Sequence, residues 1–203
     1  MVQKLYRGHT MKKKCDRSQA VFRTAIKALS MPGKILKLPF APEAEEFFDP
    51  LVMVLRPLLN QKATFCLTRD AQELKLGKYL RMVTGSRPSD LCHADFFVAP
   101  LGKSSGEILA LKRGSLDYPE QGATVVYGVE ELEGDSYAES GCRFSGPGVD
   151  GFAEPMIRGL PSKELLYIKE INQEFPLGID VLFVDRNGFL RGLPRSTRIE
   201  VRH

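Results

Sequence analysis

A chain of 203 residues fits one domain of ordinary size, because at about 150 residues a fold already hides roughly two-thirds of its unfolded surface without disulfides or metal. With 43% apolar and 27% charged residues the composition is globular, and no apolar run approaches the ~18 residues that would span a bilayer. The net charge of +4 comes from 29 Lys and Arg spread among 25 carboxylates, which excludes the dense basic stripe of a nucleic-acid-binding surface.

The N-terminus carries Lys4, Arg7, Lys12, Lys13 and Lys14 with no apolar h-region or small-residue cleavage site behind them. The chain therefore reads as cytoplasmic, a single domain over 1–203 in which 1–14 is a flexible basic extension. Residues 16 to 30 are predicted helical: Asp16 or Ser18 caps, Val21, Ala25 and Leu29 recur at four-residue spacing, and Pro32-Gly33 stops the run. Lys34 to Leu38 alternates like a short strand. A second helix is expected from Asp49 as N-cap and Pro50 at its first position, where a missing N–H costs nothing; Pro57 weakens its last turn.

Thr64 to Leu67 is the next strand, Asp70 to Met82 a helix with Leu74, Tyr79 and Leu80 inside, and Gly85 to Asp90 turn chemistry. Asp95 to Ala99 reads as a buried strand, and a short helix covers Gly106 to Lys112. Ala123 to Val129 is β-branched and apolar on both faces, as a central covered strand would be. Arg143 to Ser145 and Ala153 to Arg158 are shorter strand candidates. Pro161 to Glu174 is a helix striped by Leu165, Ile168 and Ile171, and a strand from Ile179 to Val184 turns at Asn187-Gly188 and returns through Phe189 to Leu193. Helices alternating with buried strands, then adjacent strands at the end, predict an α/β layer fold with a mixed sheet flanked by helices.

Three segments hold candidate binding chemistry. Closely spaced glycines in Ser145-Gly146-Pro147-Gly148 let backbone N–H groups approach an anion, but the spacing is neither a P-loop nor G-x-G-x-x-G, and taken alone a tight turn between strands is the better reading. Glu120 and Thr124 stand at the mouth of the central strand, a position that α/β folds often give to ligand-binding groups. In Arg195-Ser196-Thr197-Arg198 two guanidiniums and two hydroxyls offer donors to a phosphate or carboxylate; in extended geometry Arg195 and Thr197 share one face, and the same pattern suits a charged edge strand.

The four cysteines, Cys15, Cys66, Cys92 and Cys142, form no C-x-x-C or Cys/His spacing for zinc, and Cys66 and Cys142 read as small core residues. With only His9, His93 and His203, no Ser/His/Asp or H-E-x-x-H motif is visible, so no catalytic residue, metal or cofactor is assigned.

Several tracts in order resemble the H subunit of the bacterial carbon-phosphorus lyase system: Phe22-Arg23 with Met31-Pro32-Gly33, Pro119 to Thr124, Ser145 to Val149, and Phe175 to Asp180 through Pro194 to Val201. The resemblance covers nearly the whole chain from about residue 15 and implies a fold related to pyridoxal-phosphate-dependent transferases that has lost the cofactor. It also implies a homodimer within a multi-subunit core complex, and leaves room for a ligand pocket at the dimer interface. That complex uses ATP and an alkylphosphonate, replacing adenine at the ribose C1 to give a ribose 1-phosphonate 5-triphosphate, before a radical iron-sulfur subunit breaks the carbon-phosphorus bond. The implied part of this chain in that multi-subunit transferase, alpha-D-ribose 1-methylphosphonate 5-triphosphate synthase, is assembly rather than catalysis. The rival reading is a stand-alone enzyme or binding protein for a phosphorylated small molecule, acting through Arg195, Thr197, Glu120 and the Gly146–Gly148 turn.

Overall fold

In the computed structural model the described residues are 17–39, 50–72, 75–132 and 142–201. The basic extension, Cys15, Phe40 to Asp49, Leu74, His9 and His203 lie outside them. Helix α1 covers 17–30, with Val21, Ala25 and Ala28 buried while Phe22 and Ile26 face outward. Helix α2 (Pro50–Leu58) opens on the expected proline and ends one residue beyond Pro57, whose missing N–H and ring prevent many further turns. The helix expected over 70–82 divides into α3 (Arg69–Gln72) and α4 (Leu76–Thr84), the latter closed by Gly85 in the left-handed conformation, its N–H bonded to Arg81 O. Helix α5 (Ser162–Ile171) continues into a 3-10 turn at Asn172–Glu174.

The strands are β1 (Leu36–Lys37), β2 (Thr64–Leu67), β3 (Arg87–Pro88), β4 (Phe96–Ala99), β5 (Thr124–Val129), β6 (Cys142–Ser145), β7 (Asp180–Asp185), β8 (Phe189–Leu193) and β9 (Arg198–Val201). Strand β3 falls in text that reads as a turn: two residues carry no alternation to find, and parallel pairing with β2 alone makes them a strand. Ala153 to Arg158, expected as a strand, makes only the isolated bridges Phe144↔Ala153 and Glu131↔Arg158. The short helix after Gly106 is a 3-10 turn, Glu107–Ala110.

Seven strands form one sheet in the order β1-β8-β7-β5-β4-β2-β3. Strands β3, β2, β4, β5 and β7 run parallel, and β8 is antiparallel to both its neighbours, β7 through the Asn187-Gly188 turn and β1 at the edge. This is a mixed, mostly parallel sheet flanked by helices, with β5 central between β4 and β7.

The period of two along each strand divides the core into two layers. Val125, Tyr127 and Val129 of β5 join Phe183, Leu193 and the α5 stripe Leu165, Ile168 and Ile171 on one face. The small antiparallel ribbon β6–β9 covers the same face with Cys142, Phe144 and Ile199. Val126, Val98, Leu182 and Leu190 point the other way, into α1, α2 and Leu80 of α4.

The amino-terminal edge of the parallel strands is sealed by polar bonds. Asp95, just before β4, accepts the Thr64 N–H and hydroxyl at 2.8 Å each and the Lys112 ammonium at 2.5 Å. Partial burial pushes the Asp95 carboxyl up, but the bonds from Lys112 and Thr64 outweigh it and hold the pKa below its ordinary 3.8. A depressed folded pKa gives stability that is fully present above the unfolded value and is lost as pH falls through the folded one. Asp95→Asn is therefore expected to unfold with a shallower pH dependence than the parent below about pH 5, measured by urea titration at successive pH values. An unchanged acid limb would remove Asp95 from the account.

Candidate functional site

The seven candidate residues fall into two groups joined by the turn between β8 and β9. Glu120, Thr124 and Arg195 lie at the amino-terminal edge of the sheet, since Thr124 starts β5 in register with Phe96 of β4 and Asp180 of β7. Parallel α/β sheets place ligands outside the carboxyl ends of strands, so these residues occupy the opposite end. Glu120 is exposed in the 3-10 turn Pro119–Gln121, and Thr124 is half-buried.

Arg195 is occupied by the fold. Its Nη2 meets Asp180 Oδ2 at 2.7 Å, its Nε reaches both Asp180 oxygens at 3.3 Å, its backbone N–H donates to Asp180 Oδ1 at 2.9 Å, and Nη1 donates to the Pro119 carbonyl. With the Arg195 side chain 12% exposed, the pair clamps the start of β7, the end of β8 and the loop carrying Glu120. Arg195→Ala leaves Asp180 half-buried without its partner and is expected to cost about 3 kcal/mol. Arg195→Lys keeps the charge, loses the fork, and should recover only part of that in guanidinium denaturation.

The second group holds Ser145, Gly146, Gly148 and Thr197. Ser145 ends β6 opposite Arg198, and the Gly146–Gly148 turn is wedged between two backbones. A Cβ on Gly146 would stand 3.2 Å from Ser196 O, and one on Gly148 2.5 Å from Ser30 O, while both residues have φ above +80°. The turn thus needs glycine for packing against the end of α1 and for its left-handed backbone.

Arg195 to Thr197 does not run extended. Thr197 N–H closes a turn on Pro194 O at 2.9 Å, which separates the expected same-face pair. Arg195 is directed to Asp180, whereas Thr197, 5% exposed, buries a hydroxyl without a hydrogen-bond partner.

A network outside the candidate segments is more deeply buried. Glu164 of α5, 2% exposed, accepts the Ser104 N–H at 2.8 Å, the Ser104 hydroxyl at 2.5 Å and the Tyr127 hydroxyl at 2.6 Å. It fixes the loop after β4, where Ser105 has φ of 53°, to the underside of β5. The signal in the sequence is that Glu164, Ile168 and Ile171 follow i, i+4, i+7, which sets a carboxylate on the buried stripe of α5. Arg191 on β8 is another buried polar side chain that no motif marks.

Cys142 is buried, Cys66 half-buried and Cys92 exposed. Burial pushes both the Cys66 and Cys142 thiols up, the latter to about 11. His93 Nδ1 meets Asp90 Oδ1 at 2.6 Å, both exposed. Among the described residues no group of three or more His, Cys, Asp and Glu is placed to hold a metal ion, and no helix is long and apolar enough to cross a membrane. A cavity of about 290 Å³ opens between α5, the 155–160 segment and the β6–β9 ribbon, and it is lined by none of the seven candidates.

Fold and polar clusters together define an α/β layer protein with a mostly parallel sheet, whose best-placed donors and acceptors hold loops to that sheet. Residues 9–200 match the family described as bacterial phosphonate metabolism protein (PhnH), and the chain belongs to that family. It is also similar to a putative C-P lyase subunit protein, HtxG, of Stutzerimonas stutzeri, at 30% identity over 186 residues, which span 92% of this chain and 87% of that protein.

Proposed function

We propose that this protein is a subunit of the carbon-phosphorus lyase core complex in organophosphonate catabolism, supporting formation of a ribose 1-alkylphosphonate 5-triphosphate from ATP and alkylphosphonate. The observation that carries this is family membership over nearly the whole chain, joined by likeness to a C-P lyase subunit protein. In this reading the chain is one domain that acts as a cytoplasmic homodimer bound to the other core subunits, and its role in the transferase is assembly rather than bond-making. A seven-stranded, mostly parallel sheet with one antiparallel strand is in keeping with descent from a pyridoxal-phosphate-dependent transferase that no longer uses the cofactor.

For the candidate residues the same reading gives Arg195, Gly146 and Gly148 the task of holding surface loops in shape, with exposed Glu120 on the surface so formed. The rival, an independent enzyme for a phosphorylated small molecule, draws its main cation from Arg195, and Asp180 already occupies that guanidinium.

The test is a clean deletion strain offered an alkylphosphonate as sole phosphorus source. Growth should fail and return with the gene, and tagged protein should bring down the other core subunits. Normal growth of the deletion strain would refute the subunit role; turnover of a phosphorylated compound by the isolated chain would favour the rival.

A further inference from the structure

Two loops at the amino-terminal edge of the sheet are pinned from within while their tips stand in water. The 113–122 loop is held by the Gly178 N–H, which donates to Arg113 O at 2.9 Å, by the Arg113↔Gly122 bridge, and by Arg195 on the Pro119 carbonyl. In the 172–179 loop, buried Asn172 accepts the Ile179 N–H at 2.8 Å and donates to the Ile179 carbonyl at 3.1 Å. The loops meet backbone to backbone, since a Cβ on Gly122 would stand 2.3 Å from Gly178 O.

What these loops show to solvent is apolar. Leu116 is 77% exposed, Phe175 61% and Tyr118 56%, and Tyr118 is fixed by two backbone bonds with Ser115 at 3.2 Å each. Leu116 and Phe175 stand three positions from the two ends of the Arg113–Gly178 bond, at most about 10 Å of chain on either side, so one interface can cover both. The bracing stops these side chains from folding back, and apolar groups that a fold holds out in this way mark a contact surface.

The rim of this surface is acidic. Asp117, Glu120 and Glu174 are exposed and form no ion pair among the described residues. Nearby cations are engaged, Lys112 by Asp95 and Arg195 by Asp180, and half-buried Arg113 offsets part of the charge. A second copy meeting this face about a twofold axis would set the three carboxylates against their own kind, which disfavours self-association here.

We infer that this face docks another subunit of the core complex, a protein with an apolar surface flanked by Lys and Arg. Leu116, Tyr118 and Phe175 form the centre that the partner buries, and Asp117, Glu120 and Glu174 pair with its cations at the rim. The inference rests on the subunit reading and adds to it the surface and the chemistry of the partner.

The test co-expresses the tagged full chain with the other core subunits and identifies what it captures by mass spectrometry. A triple variant, Leu116→Ser, Tyr118→Ser and Phe175→Ser, should capture at least about tenfold less than the parent, and Asp117→Lys with Glu174→Lys about tenfold less. Because these side chains are exposed, each variant should melt within about 2 °C of the parent and keep its oligomeric state in size-exclusion chromatography. Phe22→Gln with Ile26→Gln alters the exposed apolar pair on α1, across the sheet, and should capture like the parent. Should the serine variant melt lower, the lysine pair decides. The inference is overturned by parent-level capture in the folded serine variant or in the lysine pair, or by loss of capture in the α1 variant. A serine variant that becomes monomeric with capture intact assigns the face to a second copy instead. If the parent itself captures no core subunit, the subunit reading fails first and the docking inference falls with it.

Discussion

Glu164→Ala is expected to destabilise the protein by about 3–5 kcal/mol, because one truncation strands three buried donors at once. The Ser104 N–H, the Ser104 hydroxyl and the Tyr127 hydroxyl all end on that carboxylate, and Ser104, Tyr127 and Glu164 are each almost wholly shielded from water. The loss is more than a sum of hydrogen bonds, since the network holds the loop at Ser105 to α5 and to β5. Glu164→Gln keeps one acceptor oxygen and should cost about 1–2 kcal/mol. Tyr127→Phe should cost about 1 kcal/mol and retain the ring's stack on Phe183, whose centroid lies 5.6 Å away. In a double-mutant cycle, Tyr127→Phe should cost less in the Glu164→Ala background than in the parent, because its acceptor is already gone. Urea denaturation reads all four proteins; a Glu164→Ala cost below about 1 kcal/mol would mean that water or rearrangement replaces the network.

The same cluster gives a sign for alkaline pH. Burial first, then the Glu164 charge, push the Tyr127 phenol well above its ordinary 10.0. A raised folded pKa contributes stability that is complete below the unfolded value and is lost as pH climbs toward the folded one. Stability should therefore fall above about pH 10, and less steeply in Tyr127→Phe.

The second large effect is Gly192→Ala. A Cβ at this position of β8 would lie 2.4 Å from the carbonyl carbon and oxygen of Ala28 and 2.5 Å from Leu29 N. Those atoms are the backbone of α1, which rests directly on the strand, so no side chain can swing aside. Either the helix moves away from the sheet or the strand bends, and overpacking of this kind costs about 3 kcal/mol. For a chain of this length that corresponds to a melting temperature lower by about 6–12 °C. Displacing α1 would also loosen Val21, Ala25 and Ala28 from the core layer they share with Leu190. A melting temperature within about 2 °C of the parent would show that α1 adjusts without cost.

The sequence by itself determined a good deal. Alternation and β-branching marked β2, β4, β5 and β7, Asn187-Gly188 marked the β7–β8 hairpin, Pro50 marked the start of α2, and the ordered tracts pointed to the family to which the chain belongs. These features are local: period, turn chemistry and proline act within a few residues of where they are written. The two-residue β3 was illegible because so short a strand carries no period of its own.

Only the tertiary structure decided what the polar side chains do. Arg195 reads as an anion ligand until β7 is placed beside β8 and supplies Asp180, and Glu120 and Thr124 read as mouth residues until the parallel order of β4, β5 and β7 shows which end is which. Glu164 and Arg191 are both buried charges, yet one has three donors from residues 37 and 60 positions away and the other has a single carbonyl 158 positions away. A charged residue's role depends on its partners and on the water it loses, and both are set by sheet order and layer packing, which bring together residues far apart in the chain.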